Sequence, residues 1–502
     1  MIFMANPMGS FHFVFVTIFS AMDIAVEQEE ERSLETPLLE EDQRVPWEPP
    51  RSDPMHSKMN YFRRLQQDWV RVSPPTKPMS PLTSYPPSHI LPPAVFVRGD
   101  AKEVAFHTTY DPPRVVYQSA WSTIFSIWNT MIGSTLVALP YGFSCSGILL
   151  GIGIVILMGV ICCHTCHLVV AYGKDFKDFG ELTQYHFGRR VQLMATGVSL
   201  FVLVGACIAY HVLMKQCAFS VVSAVLSWTG RADLEAHWTP SAAAIAILLL
   251  FPLANLKEFS TLVLLNSFGI PFVLFTIAFI VYHGVDTLAH EPLDDITIGG
   301  KSSFGVLGGI VTLSFFIHNA IQPIVRDSNP RHHRRQVSIA YALVGLSYTA
   351  VGALGYVGFP HNHVQQNFLD AFPIGDVFAF SARASLLMQL ATVYPLVLLI
   401  VRTQLFGLLF QTPWPGAWRV MGLNAAVMTL STMFAVYYPN VGDVLRFTGA
   451  IGGFVLIFCV PIGIHLVSLR AKRQLTKRSL VAHCTMVWIG LVLLILQFVP
   501  IH

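Results

Sequence analysis

The stretch "VICCHTCHLVV", residues 160–170, gathers Cys162, Cys163, Cys166, His164 and His167, the side chains that ligate zinc or exchange disulfides. On a helix at about 100° per residue they spread over a wide arc. One straight helix cannot wrap four ligands tetrahedrally around an ion, and an i, i+4 pair is the most it can contribute. A redox CxxC calls for a strand-to-helix context, which the apolar surroundings do not supply. The pattern therefore reads as small polarizable side chains packing within a helix, with histidines reaching an interface.

A second group sits in "IWNTMIGSTLVALPYG", residues 127–142. Asn129, Thr130, Gly133, Ser134 and Thr135 crowd around Met131, with Pro140 and Gly142 following. A polar, glycine-bearing break in an apolar helix is costly unless it lines a cavity, where its freed backbone groups can meet a substrate and a coupling ion. Small-residue helix packing uses the same residue types and stays open as the alternative. A third group is "TLSFFIHNAIQP", residues 312–323, where Thr312, Ser314, His318, Asn319 and Gln322 interrupt another apolar run around Phe315, followed by Pro323. His318 is a candidate for substrate contact or pH sensing. In "QLATVYPL", residues 389–396, the Thr392 hydroxyl either packs or joins Asn129 in an oxygen site for sodium.

The elements that must position these groups follow from composition. Of 502 residues 53% are hydrophobic and 12% charged, with a mean hydropathy of +0.55. Soluble domains carry about 25% charged residues, so the chain reads as an all-α polytopic membrane protein behind a polar tail. Eleven apolar spans are expected, at 121–144, 146–172, 191–226, 240–256, 258–283, 304–325, 337–359, 377–401, 417–437, 441–469 and 479–499. Each approaches the roughly 20 residues that cross a bilayer. In lipid every backbone group must be paired internally, which makes them helices. The polar breaks fall in the first and sixth spans, the spacing that a five-plus-five inverted repeat predicts. No HExxH or comparable catalytic set lies in these spans, so no enzyme is expected.

Loop charges orient the bundle. If the tail is cytosolic, that side receives Lys174, Lys177, Arg189, Arg190, Lys257, Arg326, Arg331, Arg334, Arg335, Arg402, Arg419, Arg470, Lys472, Arg473, Lys477 and Arg478. The other side has Arg231 and Lys301 among several Asp and Glu. That is a positive-inside split, with the N-terminus cytosolic and the C-terminus lumenal. The eight cysteines lie within or at the ends of apolar stretches, and there is no N-x-S/T sequon, which argues against a disulfide-stapled ectodomain. "FHFVFVTIFSA", residues 11–21, is too short to span and lacks a positive flank; Met8 and Met22 are alternative starts.

Residues 1–117 form the expected cytosolic tail, and 118–502 the transporter domain. The acidic run "EQEEERSLETPLLEED" and the proline-rich stretches after it cannot bury enough apolar surface to offset ordering entropy. Two apolar islands break the pattern, "MNYFRRLQQDWV" and "HILPPAVFV". Met59, Phe62 and Leu65 share one side of a helical turn and read as a docking motif.

The motifs "WNTMIGSTLVALPYG", "FFIHN", "QQNFLDAFP" and "TVYPL" resemble the amino acid/auxin permease group. Within it, the chain is similar to the lysosomal arginine-sensing branch of the sodium-coupled neutral amino acid transporters. The similarity runs from about Tyr61 to the C-terminus. The resemblance implies a LeuT-like fold with broken helices 1 and 6. It implies amino acid binding (arginine, leucine, glutamine), with Asn129 and Ser134 matching the family's first-helix site and Thr392 its eighth-helix polar position; the candidates read from the two breaks are Thr130, Met131, Gly133, Ser134, Thr135, Ser314, Phe315, His318 and Asn319. Sodium would sit at Asn129 and Thr392, no other cofactor being expected. It further implies Rag GTPases and Ragulator as partners, docked through Met59, Phe62, Leu65, His89 and Pro92, and a lysosomal, late endosomal or vacuolar membrane; no nucleic acid partner is expected. "ETPLLEED" resembles an acidic dileucine sorting signal. Two departures stand out: Ser134 replaces the family's Thr, and the family's long glycosylated loop after helix three is cut to "SWTGRADLEAHWTP".

Overall fold

The computed structural model describes residues 117–498, except 177, 232–249, 258–261, 263–265, 267, 293–294, 327 and 360–363. The docking positions Met59, Phe62, Leu65, His89 and Pro92 lie outside the described residues. The regular elements described are helices: α1 Ala120–Met131, α2 Leu139–Ser146, α3 Ile148–Tyr172, α4 Phe179–Trp228, α5 Gly269–His290, α6 Gly305–Ser314, α7 Ile321–Arg326, α8 His333–Val357, α9 Val377–Phe410, α10 Ala417–Tyr437, α11 Val441–Gly453, α12 Val460–Ala471 and α13 Lys477–Leu496. A single π turn, Phe454–Cys459, joins α11 to α12.

The chain is thus an all-helical polytopic membrane protein. By length and composition, eight of the described helices can cross a bilayer, taking α11 through α12 as one. A ninth forms if α1 and the segment Ser134–Ser146 count together, bent by 51°. Two of the expected spans are not among these. Residues 240–249 of the fourth lie outside the described residues. The sixth, expected over 304–325, is not continuous: α6 stops at Ser314 and α7 starts at Ile321. Ten residues at about 1.5 Å each reach only about half of a 30 Å hydrocarbon layer.

The helix α4, the third expected span, also starts before its expected limit of 191. Asp178 caps it, accepting from the Glu181 amide at 2.8 Å, and the first turns run to Gly188. There φ is +79°, a conformation that glycine adopts without the Cβ penalty. The kink separates a short first helix from the long span that follows it. Glycine is used again between α2 and α3, where Gly147 has φ +81° and a Cβ would lie 2.6 Å from the Gly299 carbonyl oxygen. The segment 297–301 meets that corner through main-chain bonds from Ile148, Leu149 and Leu150 to Thr297, Ile298 and Gly299. Lys301 Nζ and Ser303 Oγ reach the Ser144 and Cys145 carbonyls at 2.8 and 2.7 Å. A cation at these last carbonyls complements the helix dipole.

Two helices organise the packing, and α5 and α9 pack on one another between their neighbours. The helix α8 packs along α1, α2, α3 and α5, while α4 packs along α9, α10 and α11. The short α6 lies between α11 and the α2–α3 corner. The two broken segments therefore pack on one another as well as on unbroken helices.

Candidate functional site

Breaking a helix leaves its last carbonyls without intrahelical partners. At the first break Ile132 leaves helical geometry at φ −79°, ψ 107°, and the chain resumes as a 3-10 turn over Ser134–Ala138. At the second, α6 ends at Ser314 and a turn leads through Phe315–Ala320 to α7. The missing donors come from other helices. Tyr348, fully buried on α8, places its hydroxyl 2.8 Å from the Met131 carbonyl and 2.9 Å from the Ser314 carbonyl. Tyr341, two turns earlier on α8, donates to Phe315 O at 3.1 Å. Gln389 on α9 donates to Ile132 O at 3.2 Å. The two breaks therefore face one another across a single phenol.

Most of the expected residues gather here. Met131, Gly133, Ser134 and Thr135 form the first break and its 3-10 turn, with Ser134 only 2% exposed. The Thr135 hydroxyl is buried beside the Tyr348 phenol. Thr130 is turned back on its own helix, donating to Ser126 O at 2.7 Å. Ser314 and Phe315 end α6, and Phe315 lies edge-on to Tyr348 with ring centroids 5.3 Å apart. His318 and Asn319 point elsewhere: His318 Nε2 meets Thr165 Oγ1 of α3 at 2.9 Å, and Asn319 Nδ2 donates to Ser199 Oγ of α4 at 2.9 Å. These two tie the second break to its neighbours.

Tyr210 was not anticipated. A Cβ on Gly133 would lie 2.9 Å from its hydroxyl, so this α4 tyrosine touches the first break. No local pattern marks Tyr210 or Tyr348. Gln389 could have been found, since it sits three residues before Thr392 on the same face of α9.

The expected sodium pair is joined through intermediates. Asn129 Nδ2 reaches the Asn266 main-chain oxygen at 3.5 Å, just before α5. Gly269, opening α5, packs against Thr392, where a Cβ would lie 2.9 Å from Oγ1. Thr392 itself donates to Gln389 O at 2.7 Å. Along this strip Asn129 Oδ1, Asn266 Oδ1 and Gln389 Oε1 are buried with no hydrogen-bond partner among the described residues. Neutral oxygens of this kind suit a small hard cation.

The cysteine–histidine cluster splits three ways on α3. Cys162 and Cys166 are buried in the core. Cys163 Sγ lies 3.4 Å from His167 Nε2, which meets Ser338 Oγ at 2.9 Å. His164 Nε2 faces His483 Nε2 of α13 at 3.2 Å. Among the described residues no three His, Cys, Asp or Glu side chains gather as metal ligands.

Over the first break lies the loop of "QNFLDAFP". Its turn Phe368–Ala371 packs on the segment Ser134–Ala138. Arg383 of α9 binds three of its carbonyls, Leu369, Phe372 and Pro373, at 2.8, 2.6 and 3.2 Å. Phe359, Phe368 and Phe372 pack edge to face around His283. Asp370 keeps an edge at the surface, but the protein crowding its other sides pushes its carboxyl up from 3.8 to about 6 by desolvation, against the opposite pull of Arg383 and Asn367. The folded loop thus holds the proton more tightly than the free chain. Its stabilisation is complete below the free value and is lost as pH rises through about 6. Amide exchange over 367–373, corrected for intrinsic rates, is expected to be slower at about pH 5 than at about pH 7.5. Asp370→Asn is expected to remove that difference; an unchanged pH profile in the variant would assign it to another group.

The profile of the transmembrane amino acid transporter protein family matches residues 117–501. The chain belongs to that family. Relatives agree with the assignment. Neutral amino acid transporter 9 of Xenopus tropicalis is 32% identical over 438 residues, 75% of this chain and 79% of that one. The sodium-coupled neutral amino acid transporter 9 homolog of Caenorhabditis elegans is 31% identical over 486 residues, 82% of this chain and 77% of that one. Among solved structures, MhsT in complex with L-phenylalanine aligns with a TM-score of 0.49 at 12% identity, over 77% of this chain and 99% of that one. As a member of this transporter family, the chain has its two polar breaks inside the matched region.

Proposed function

We propose that this transporter moves large neutral amino acids, leucine and glutamine among them, across a lysosomal, late endosomal or vacuolar membrane, with arginine as the ligand that gates it. Its architecture is eleven spans in a LeuT-like five-plus-five inverted repeat. The observation that carries the reading is the meeting of the two breaks at Tyr348, which presents main-chain carbonyls and a buried hydroxyl to one place. Carbonyls suit an α-ammonium, and the amides of the turn after Gly133 suit an α-carboxylate. Thr130, Met131, Gly133, Ser134, Thr135, Ser314 and Phe315 would line that place, with His318 and Asn319 behind it.

No Asp or Glu is buried among the described residues, which suits transported side chains without charge; a gating arginine would rest its guanidinium on main-chain carbonyls, as Arg383 does within this protein. The names of the relatives favour neutral substrates as well. By resemblance, the N-terminal tail reports occupancy to Rag GTPases and Ragulator, through a shift of the transport equilibrium on loading. A second reading is plain sodium-coupled symport without a signalling role. It is favoured by the unpartnered oxygens between Asn129 and Thr392.

Efflux of labelled leucine from proteoliposomes tests both. Release stimulated by arginine is expected for the gated exporter. Release indifferent to arginine but driven by a sodium gradient, and made sodium-insensitive by Thr392→Val, would establish the symporter instead. No release of any neutral amino acid would end both readings.

A further inference from the structure

We propose that the outward face of α3, towards its end at Tyr172, binds a phospholipid whose headgroup carries a phosphate monoester. This helix presents a stripe to its surroundings. Ile156, Leu157 and Val160 are 59%, 47% and 62% exposed, and a Cβ on Gly153 would meet nothing within 4 Å. At about 3.6 residues per turn, His164 and His167 come next on that stripe, and both are half-buried. Hydrocarbon offers an imidazole no hydrogen bond, so two histidines closing an apolar stripe mark the level where headgroups begin. Cations stand on both sides of them. On α8, Arg334 and Ser338 are exposed, and the Arg334 charge acts on Cys163, His164 and His167. On α13, Lys477 and Arg478 are exposed in the first turn.

The imidazoles are held so that donors remain for a ligand. His167 Nε2 lies 2.9 Å from Ser338 Oγ and 3.4 Å from Cys163 Sγ, both of which can donate to it. The proton of the neutral ring then sits on Nδ1, which has no hydrogen-bond partner among the described residues. His483 Nδ1 lies 2.7 Å from the Ser479 carbonyl and must donate to it, so its Nε2 accepts from His164 Nε2 at 3.2 Å. That ladder ties α3 to the first turn of α13, where Lys477 and Arg478 directly precede Ser479. The N-termini of α8 and α13, at His333 and Lys477, point their positive dipole ends to the same side. A phosphate diester offers these groups one charge. A monoester offers roughly −1.5 to −2 at pH 7 and three acceptor oxygens, the better match to two imidazoles, a guanidinium and the α13 cations. The acyl chains would lie along Val160, Leu157 and Ile156. By the orientation read from loop charges this is the cytosolic leaflet, the one with the negative surface potential.

The test titrates the full-length protein in detergent with a phosphatidylinositol monophosphate and with phosphatidylinositol itself, counting bound lipid by native mass spectrometry. The wild-type protein should hold the monophosphate at least about tenfold more tightly, the scale of one charge-assisted hydrogen bond. The His164→Gln, His167→Gln double variant should lose most of that preference, and so should Arg334→Gln. Arg419→Gln should keep it, because Arg419 is an exposed arginine on α10, stacked on Phe410 of α9. Equal binding of the two lipids, or a preference unchanged in the histidine and Arg334 variants, would overturn the inference. A loss in Arg419→Gln as large as in Arg334→Gln would overturn it too, by tracing the preference to bulk charge. The same headgroup without acyl chains, at equal concentration, should not displace the lipid; full displacement would show an ion site and not a lipid site. Thermal unfolding checks each variant, and if the double variant does not fold, the exposed Arg334→Gln decides the outcome alone.

Discussion

Ser134→Trp is expected to abolish amino acid flux while leaving a folded protein. Ser134 opens the 3-10 turn that follows the first break and is 2% exposed. An indole there needs about 150–250 Å² of new contact. If the space between the breaks is a substrate cavity, the ring fills it, flux falls to background, and the melting temperature stays within a few degrees of wild type. If that space is ordinary packed interior, the ring has nowhere to go. Overpacking then costs roughly 1–3 kcal/mol or more, and flux and fold are lost together. Ser134→Thr adds one methyl to the same hydroxyl, matching the residue in the resembling family, and should retain transport. Leucine flux and thermal unfolding of the same preparations separate these outcomes.

Gly449→Ala is expected to give the largest loss of stability among single-methyl changes at the α6–α11 contact. A Cβ there would stand 2.4 Å from Gly309 O, 2.7 Å from Leu313 Cβ and 3.0 Å from Leu313 N. Two of these three are main-chain atoms of α6, so no rotamer change relieves the clash and the helices must separate. The cost should reach the upper end of the roughly 1–3 kcal/mol of overpacking. Because α6 ends at Ser314, its displacement also pulls that carbonyl from Tyr348, and transport should fall with stability. Gly197→Ala provides the opposite sign. A Cβ at Gly197, within α4, meets nothing within 4 Å, so the substitution should gain roughly 0.5–1 kcal/mol of helix preference. Thermal unfolding in detergent reads both changes. A Gly449→Ala protein as stable as wild type would show that α6 and α11 are not held at this spacing.

The polar interruptions of apolar runs were legible from residue type. Gly133, Ser134 and Thr135, and later His318 and Asn319, stand inside runs that are otherwise apolar, and lipid gives polar groups few other places to be. What those polar groups touch was less legible. His318 and Asn319 read as candidates for substrate contact, and in the structure they bond to Thr165 and Ser199. Their residue type announces that they need a partner, not which one. The cysteine–histidine run is similar. Its five side chains share eleven residues of sequence, yet the helix aims them at the core, at Ser338 and at His483.

The sequence by itself determined the class of this protein, an all-helical polytopic membrane chain, because hydropathy and backbone pairing in lipid are local constraints. It also marked Ser134 and Thr392 as candidates, one in the turn after the first break and one on α9. Only the tertiary structure decided what meets the freed helix ends. Tyr348 meets Met131 from 217 positions away and Gln389 meets Ile132 from 257, while Tyr210 touches Gly133 from another helix. A freed carbonyl accepts from any donor within reach, and which donor that is depends on how distant helices pack.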